Sequence, residues 1–140
     1  MIDWSQVKTA EQKDVEAFNT AFAGKLSANN TAYEVATLAI TSNYPQMEKD
    51  TWPTQDKEIK GWVADPENAL TPWIDIAASV RGIPREEYLQ RTLVKTQQFE
   101  QISAYLTGLR QKYEDQIKAA TSVDEIEQIQ LVYQLPEGGA

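Results

Sequence analysis

The 140-residue chain contains no cysteine and no histidine. Without cysteine there can be no disulfide, no thiol nucleophile and no thiolate metal site. Without histidine it lacks the most versatile general base, the usual base of a catalytic triad and the commonest ligand for borderline metals. Long apolar runs are also missing, and no stretch approaches the ~20 residues of a membrane span. Basic residues are few and scattered: thirteen Lys and Arg face twenty-one Asp and Glu, for a formal net charge of −8. A nucleic-acid backbone or an anionic membrane surface needs clustered cations, so neither is an expected partner.

What the chain does contain is enough to fold. Hydrophobic residues make up 41%, and four Trp, six Tyr and three Phe supply large buriable area. Residues 1–8 have no basic segment followed by an apolar run, so they do not read as a signal peptide. They read as an extended lead-in with one large anchor, Trp4. Thr9 and Gln12 have the spacing of a helix-opening capping box. Val15, Phe18, Phe22 and Leu26 then form one helical stripe. Ser27, Ala28, Asn29 and Asn30 are expected to end that helix as a turn. After them, Tyr33, Ala36, Ile40 and Tyr44 make one helical row, and Val35, Leu38 and Ala39 another. Alanines favour helix here while β-branched residues permit strand; helix is expected, interrupted at Pro45 or Pro53.

A helix over 52–64 carries Trp52, Ile59, Trp62 and Val63. Residues 65–68 form a loop. Thr71 followed by Pro72 opens a short helix with a capping hydroxyl and Pro at the first helical position. Its expected inner face is Trp73, Ile76, Ala77 and Val80, and Gly82 stops it. The longest helix follows, from about 84 to 120, with Leu89, Leu93, Phe99, Ile102, Leu106, Leu109, Tyr113 and Ile117 along one side. Helices carrying Trp62 and Trp73 should pack on that side. Ser122 with Glu125 starts a last short helix bearing Val123, Ile126 and Ile129. Residues 131–135 switch to alternation, as a strand or extended segment does. The fold class is therefore all-α: a small multi-helix domain built on one long helix in the C-terminal half, with extended N- and C-terminal segments. The expected organisation is 1–8 extended, 9–130 helical, and 131–140 an extended or flexible tail.

No motif carries chemistry. Glu86-Glu87 and Asp124-Glu125 sit in helix first turns, where the macrodipole favours acids; Glu114-Asp115 reads as a solvated face. None has calcium-loop spacing. There is no phosphate loop or dinucleotide fingerprint. No catalytic residue, metal ligand or cofactor is expected, and binding of other proteins is the expected mode of action. Trp62 and Trp73 fall on inward stripes. Trp4 and Trp52 lie outside regular stripes and divide evenly between core and interface.

Certain phrases resemble those of a known class of proteins. The lead-in Ile2-Asp3-Trp4-Ser5-Gln6-Val7-Lys8-Thr9-Ala10-Glu11 is similar to an N-terminal phrase in proteins encoded among bacteriophage tail genes. Thr51-Trp52-Pro53-Thr54-Gln55, Ala64-Asp65-Pro66, Leu70-Thr71-Pro72-Trp73, Arg81-Gly82-Ile83 and Leu106-Thr107-Gly108-Leu109-Arg110-Gln111 resemble a helical domain of such proteins. The resemblance spans about residues 2–128 and rests on Trp, Pro and Gly positions, which specify a fold and carry no catalytic group. It implies a tail-fibre assembly chaperone, with a phage tail fibre or other tail protein as partner, or else a permanent component of tail, baseplate or fibre. It places the protein in the host cytoplasm during assembly or in the virion tail, and a homo-oligomer is compatible with it. The partner is expected at Ile2, Trp4, Trp52, Leu131, Tyr133 and Leu135, which have no obvious place in a helical stripe. The competing expectation is that both chain ends fold back onto the protein's own core.

Overall fold

The structure, a computed structural model, describes residues 9–135. Among them are five α-helices and no strand: α1 Ala10–Thr41, α2 Gln46–Ala64, α3 Pro72–Arg81, α4 Arg85–Ala119 and α5 Val123–Gln128. The fold is all-α, and the long helix lies where the unbroken apolar stripe places it. The chain divides into two compact units, one formed among the described residues by 9–38 and 105–135, the other by 39–104. Helices α1 and α4 contribute to both. No helix of the described residues is long and apolar enough to cross a membrane.

The capping box at the start of α1 forms as its spacing requires. Gln12 N–H donates to Thr9 Oγ1 at 3.1 Å, and Thr9 N–H donates to Gln12 Oε1 at 2.8 Å. The expected turn at 27–30 does not form, and α1 runs on for 32 residues. Asn and Ser favour turns because their side chains bond nearby backbone. Asn29 has other partners: it is 1% exposed, and its amide is engaged by Arg110 and Tyr133. Of the two rows after it, Tyr33, Ala36 and Ile40 are half-buried, while Val35, Leu38 and Ala39 face solvent.

The chain breaks at 42–45, and Pro45 caps α2, which starts six residues before Trp52. Pro53 lies inside α2 rather than interrupting it. Near it, Gln55 Nε2 donates to Thr51 Oγ1 at 2.9 Å, and Trp52 packs between Tyr44 and Phe99. These contacts hold the turn that Pro53 weakens by removing an N–H.

In the second unit one residue from each of three helices makes the core: Ile59 of α2, Ile74 of α3 and Leu89 of α4, all 1% exposed or less. Trp62, Trp73, Tyr88 and Leu93 pack around them. Trp62 and Trp73 thus pack against the cluster to which the start of the α4 stripe contributes Leu89. The inner face of α3 differs from the expected one. Ile74 and Ala78 are buried, Trp73 and Ala77 half-buried, and Ile76 and Val80 are 68% and 83% exposed. The helix is turned so that Ile74 takes the place expected of Ile76, because its first turn is fixed from outside by Glu58 and Arg85, as described below. Its end is as expected. Gly82 has φ 83°, Ile83 N–H bonds Ala78 O at 3.1 Å and Gly82 N–H bonds Ser79 O at 3.2 Å, a left-handed cap that suits a residue without Cβ.

In the first unit Leu106, Tyr113 and Ile117 of α4 are buried, as is Ile126 of α5. Ser122 Oγ accepts from Glu125 N–H at 3.1 Å. The return bond is displaced by one residue, with Glu125 Oε2 accepting from Thr121 N–H at 2.7 Å.

Candidate protein-binding site

Of the residues expected to bind a partner, Ile2 and Trp4 lie outside the described residues. Trp52, in the second unit, is half-buried. Its ring packs edge-to-face with those of Tyr44, 5.3 Å away between centroids, and Phe99, 5.5 Å away, and Phe99 is 41% exposed. Leu131, Tyr133 and Leu135, in the first unit, are half-buried, and Val132 and Gln134 between them are exposed. The alternation read from the sequence is present, although these residues form no strand.

Tyr133 is the centre of a polar and aromatic node. Its hydroxyl donates to Asn29 Oδ1. Its ring lies against Tyr33, 6.2 Å away, and Tyr113, 5.6 Å away, both edge-on, the arrangement aromatic quadrupoles favour. Tyr113 Oη–H donates to Val132 O at 2.8 Å, and Asn29 Nδ2–H donates to Arg110 O at 2.9 Å. The hydroxyls of Tyr33 and Thr107 are 2.8 Å apart. Burial pushes the Tyr133 phenol above its ordinary pKa, opposed by the nearby Arg110 charge. On the same stretch of α4, Glu114 accepts from Lys118 and Arg110, both at 2.6 Å. These hydrogen bonds, Lys118 first, hold its carboxyl below the usual range.

Sequence reasoning missed Asn29, which it read as a turn former. A signal was present: Phe22, Leu26, Asn29 and Tyr33 are spaced at four, three and four, so Asn29 stands on the apolar stripe. A polar residue there needs a buried partner.

The second unit holds α3 by two devices. Glu58 of α2 accepts from Trp73 N–H and Ile74 N–H, each at 3.0 Å, so a carboxylate from another helix satisfies the open N–H groups and meets the positive end of the dipole. Thr71 precedes the helix as expected, but its side chain makes no cap. It donates to Asp75 Oδ1 at 2.8 Å and accepts from Arg85 Nη2 at 2.8 Å, and Arg85 Nε reaches Asp75 Oδ1 at 2.7 Å. With its first turn so fixed, α3 presents Ile76 and Val80 outward, four residues apart on one face. Leu70, just before it, is 88% exposed. The acid pairs Glu86-Glu87 and Asp124-Glu125 occupy first turns of α4 and α5. Among the described residues no three His, Cys, Asp or Glu side chains gather as a metal site.

The architecture defines an all-helical protein whose distinctive features are outward apolar side chains and a C-terminal segment folded onto α1 and α4. Residues 94–132, the later part of α4 with α5 and the start of that segment, are similar to the family described as the HI1402 helical domain. No curated protein and no solved structure matches the chain.

Proposed function

We propose that the protein acts by binding other proteins and is a bacteriophage tail-fibre assembly chaperone, released after assembly or retained at the fibre. The observation that carries a binding role is the outward face of α3, where Ile76 and Val80 are exposed on a helix held at its first turn by Glu58. Large apolar side chains held outward by a fixed helix suit contact with another protein surface. The phage assignment is supported by the Trp, Pro and Gly phrases of the sequence. Co-expression with a phage tail fibre from the same genome is the test: the fibre should fold and trimerise only when this chain is present, and a fibre that matures equally well without it would overturn the reading. The second reading, a permanent tail, baseplate or fibre component, rests on the same phrases. Mass spectrometry of purified particles separates a released chaperone, which leaves no stoichiometric peptide signal, from a protein that stays in the particle.

A further inference from the structure

Residues 130–135 are held to the first unit by side chains. The last backbone bond before them runs from Ile129 N–H to Ile126 O at 3.2 Å, and among the described residues no backbone-to-backbone bond ties 130–135 to a helix. The side that receives them stands on helices. Asn29 belongs to α1, and Tyr113 to α4. Asn29 is 1% exposed, and its Nδ2 bond to Arg110 O leaves Oδ1 directed at an incoming hydroxyl. The rings of Tyr33 and Tyr113 both pack edge-to-face with that of Tyr133, and Tyr113 Oη–H donates to a main-chain carbonyl. Each contact recognises something an extended peptide carries: a phenol, its ring, and the carbonyl of the residue before it.

We propose that Asn29, Tyr33 and Tyr113 form a binding site for an extended segment of a partner protein, one carrying a tyrosine with aliphatic residues two positions before and after it. Residues 131–135, Leu-Val-Tyr-Gln-Leu, are its autoinhibitory occupant. This rests on the reading that the chain acts by binding proteins, and it names the chemistry bound. A short tether keeps the chain's own segment at an effective concentration on the order of millimolar, so a free peptide making the same contacts at micromolar concentration leaves the native site closed. Weakening the tethered tyrosine opens the site without touching its helical walls.

The probe is a fluorescein-labelled peptide of residues 130–135, titrated by anisotropy into the full chain. Binding to Tyr133→Ala should be at least about tenfold tighter than to the native chain, the factor expected for one hydrogen bond and its ring contacts. A probe with Phe in place of its tyrosine should lose about tenfold on Tyr133→Ala, and Asn29→Leu added to that variant should abolish binding. Equal affinity for native and Tyr133→Ala chains would overturn the proposal. So would loss of the helical circular dichroism in Tyr133→Ala, because a displaceable occupant is not required for the fold. Peptide binding in a protein that captures no fibre would leave this site standing and remove the fibre reading alone.

Discussion

Replacing Glu58 tests how α3 is held. Its carboxylate accepts from two N–H groups of the first turn of α3, both at 3.0 Å. A side-chain cap contributes about 1 kcal/mol, and a negative charge at a helix N-terminus adds about 0.3–1 kcal/mol. With two donors satisfied at a half-buried position, Glu58→Ala should lower stability by about 2 kcal/mol in chemical denaturation. Glu58→Gln keeps one accepting oxygen, turns an amide towards the second N–H and removes the charge, so about half that loss is expected. The sharper assay is amide hydrogen exchange at Trp73 and Ile74. An opening made easier by about 2 kcal/mol raises exchange roughly 30-fold. Thr71→Val is the control: it takes the hydroxyl from the Asp75–Arg85 pair, which remains joined at 2.7 Å, and should leave those two amides protected relative to the rest of α3. If Thr71→Val exposes them and Glu58→Gln does not, the hydroxyl is the cap and the account of α3 is wrong.

Other variants separate the inner and outer faces of the same fold. Ile74→Ala should cost about 2–5 kcal/mol, as large-to-small changes at fully buried sites do, whereas Ile76→Ala should stay within about 0.5 kcal/mol; similar losses in thermal melts would refute the orientation of α3. Asn29→Ala should destabilise by about 2 kcal/mol, since it strands Arg110 O and the Tyr133 hydroxyl, and urea titration reads it. Pro53→Ala should raise stability by at least about 1 kcal/mol, because Pro inside a helix is disfavoured by roughly 3 kcal/mol; a fall in the urea midpoint would show that the proline is needed for packing. Glu114 has a folded pKa below its ordinary 4.5, so its contribution is fully present above that value and is lost as pH falls through the lowered one. Glu114→Gln should therefore flatten the dependence of the melting temperature on pH below about 4.5 and leave its shape at neutral pH unchanged.

What was legible in the sequence was set by neighbours in the chain. Thr9 and Gln12 are three residues apart and bond each other. Gly82 closes α3 with bonds to Ala78 and Ser79. The α4 stripe needs only its own period, and its observed limits fall within a residue of the expected ones. The orientation of α3 was not legible, because Glu58 is 15 and 16 residues from the amides it caps and nothing in its local pattern marks it as a cap. The continuity of α1 through Asn29 depends on partners 81 and 104 residues away. Local propensity at Ser27 to Asn30 describes a chain whose side chains are free to bond their own backbone; once Asn29 is engaged elsewhere, that competition is gone and the helix continues.

The C-terminal segment shows how far a pattern of period two can be taken. Alternation of Leu131, Tyr133 and Leu135 with Val132 and Gln134 suits a strand or an extended segment alike. The alternation is real, with the first three half-buried and the other two exposed. It arises without a ladder, because an extended chain laid on any surface buries every second side chain. Here the surface is made of helices, and the main chain is met by a phenol, Tyr113 bonding Val132 O. Period two therefore reports an extended backbone buried on one side, and the nature of the surface must be read from the groups that meet it. For this segment those groups are an asparagine amide and two tyrosines, which meet the phenol of Tyr133; the backbone bonds of a β-ladder would by themselves have selected no side chain.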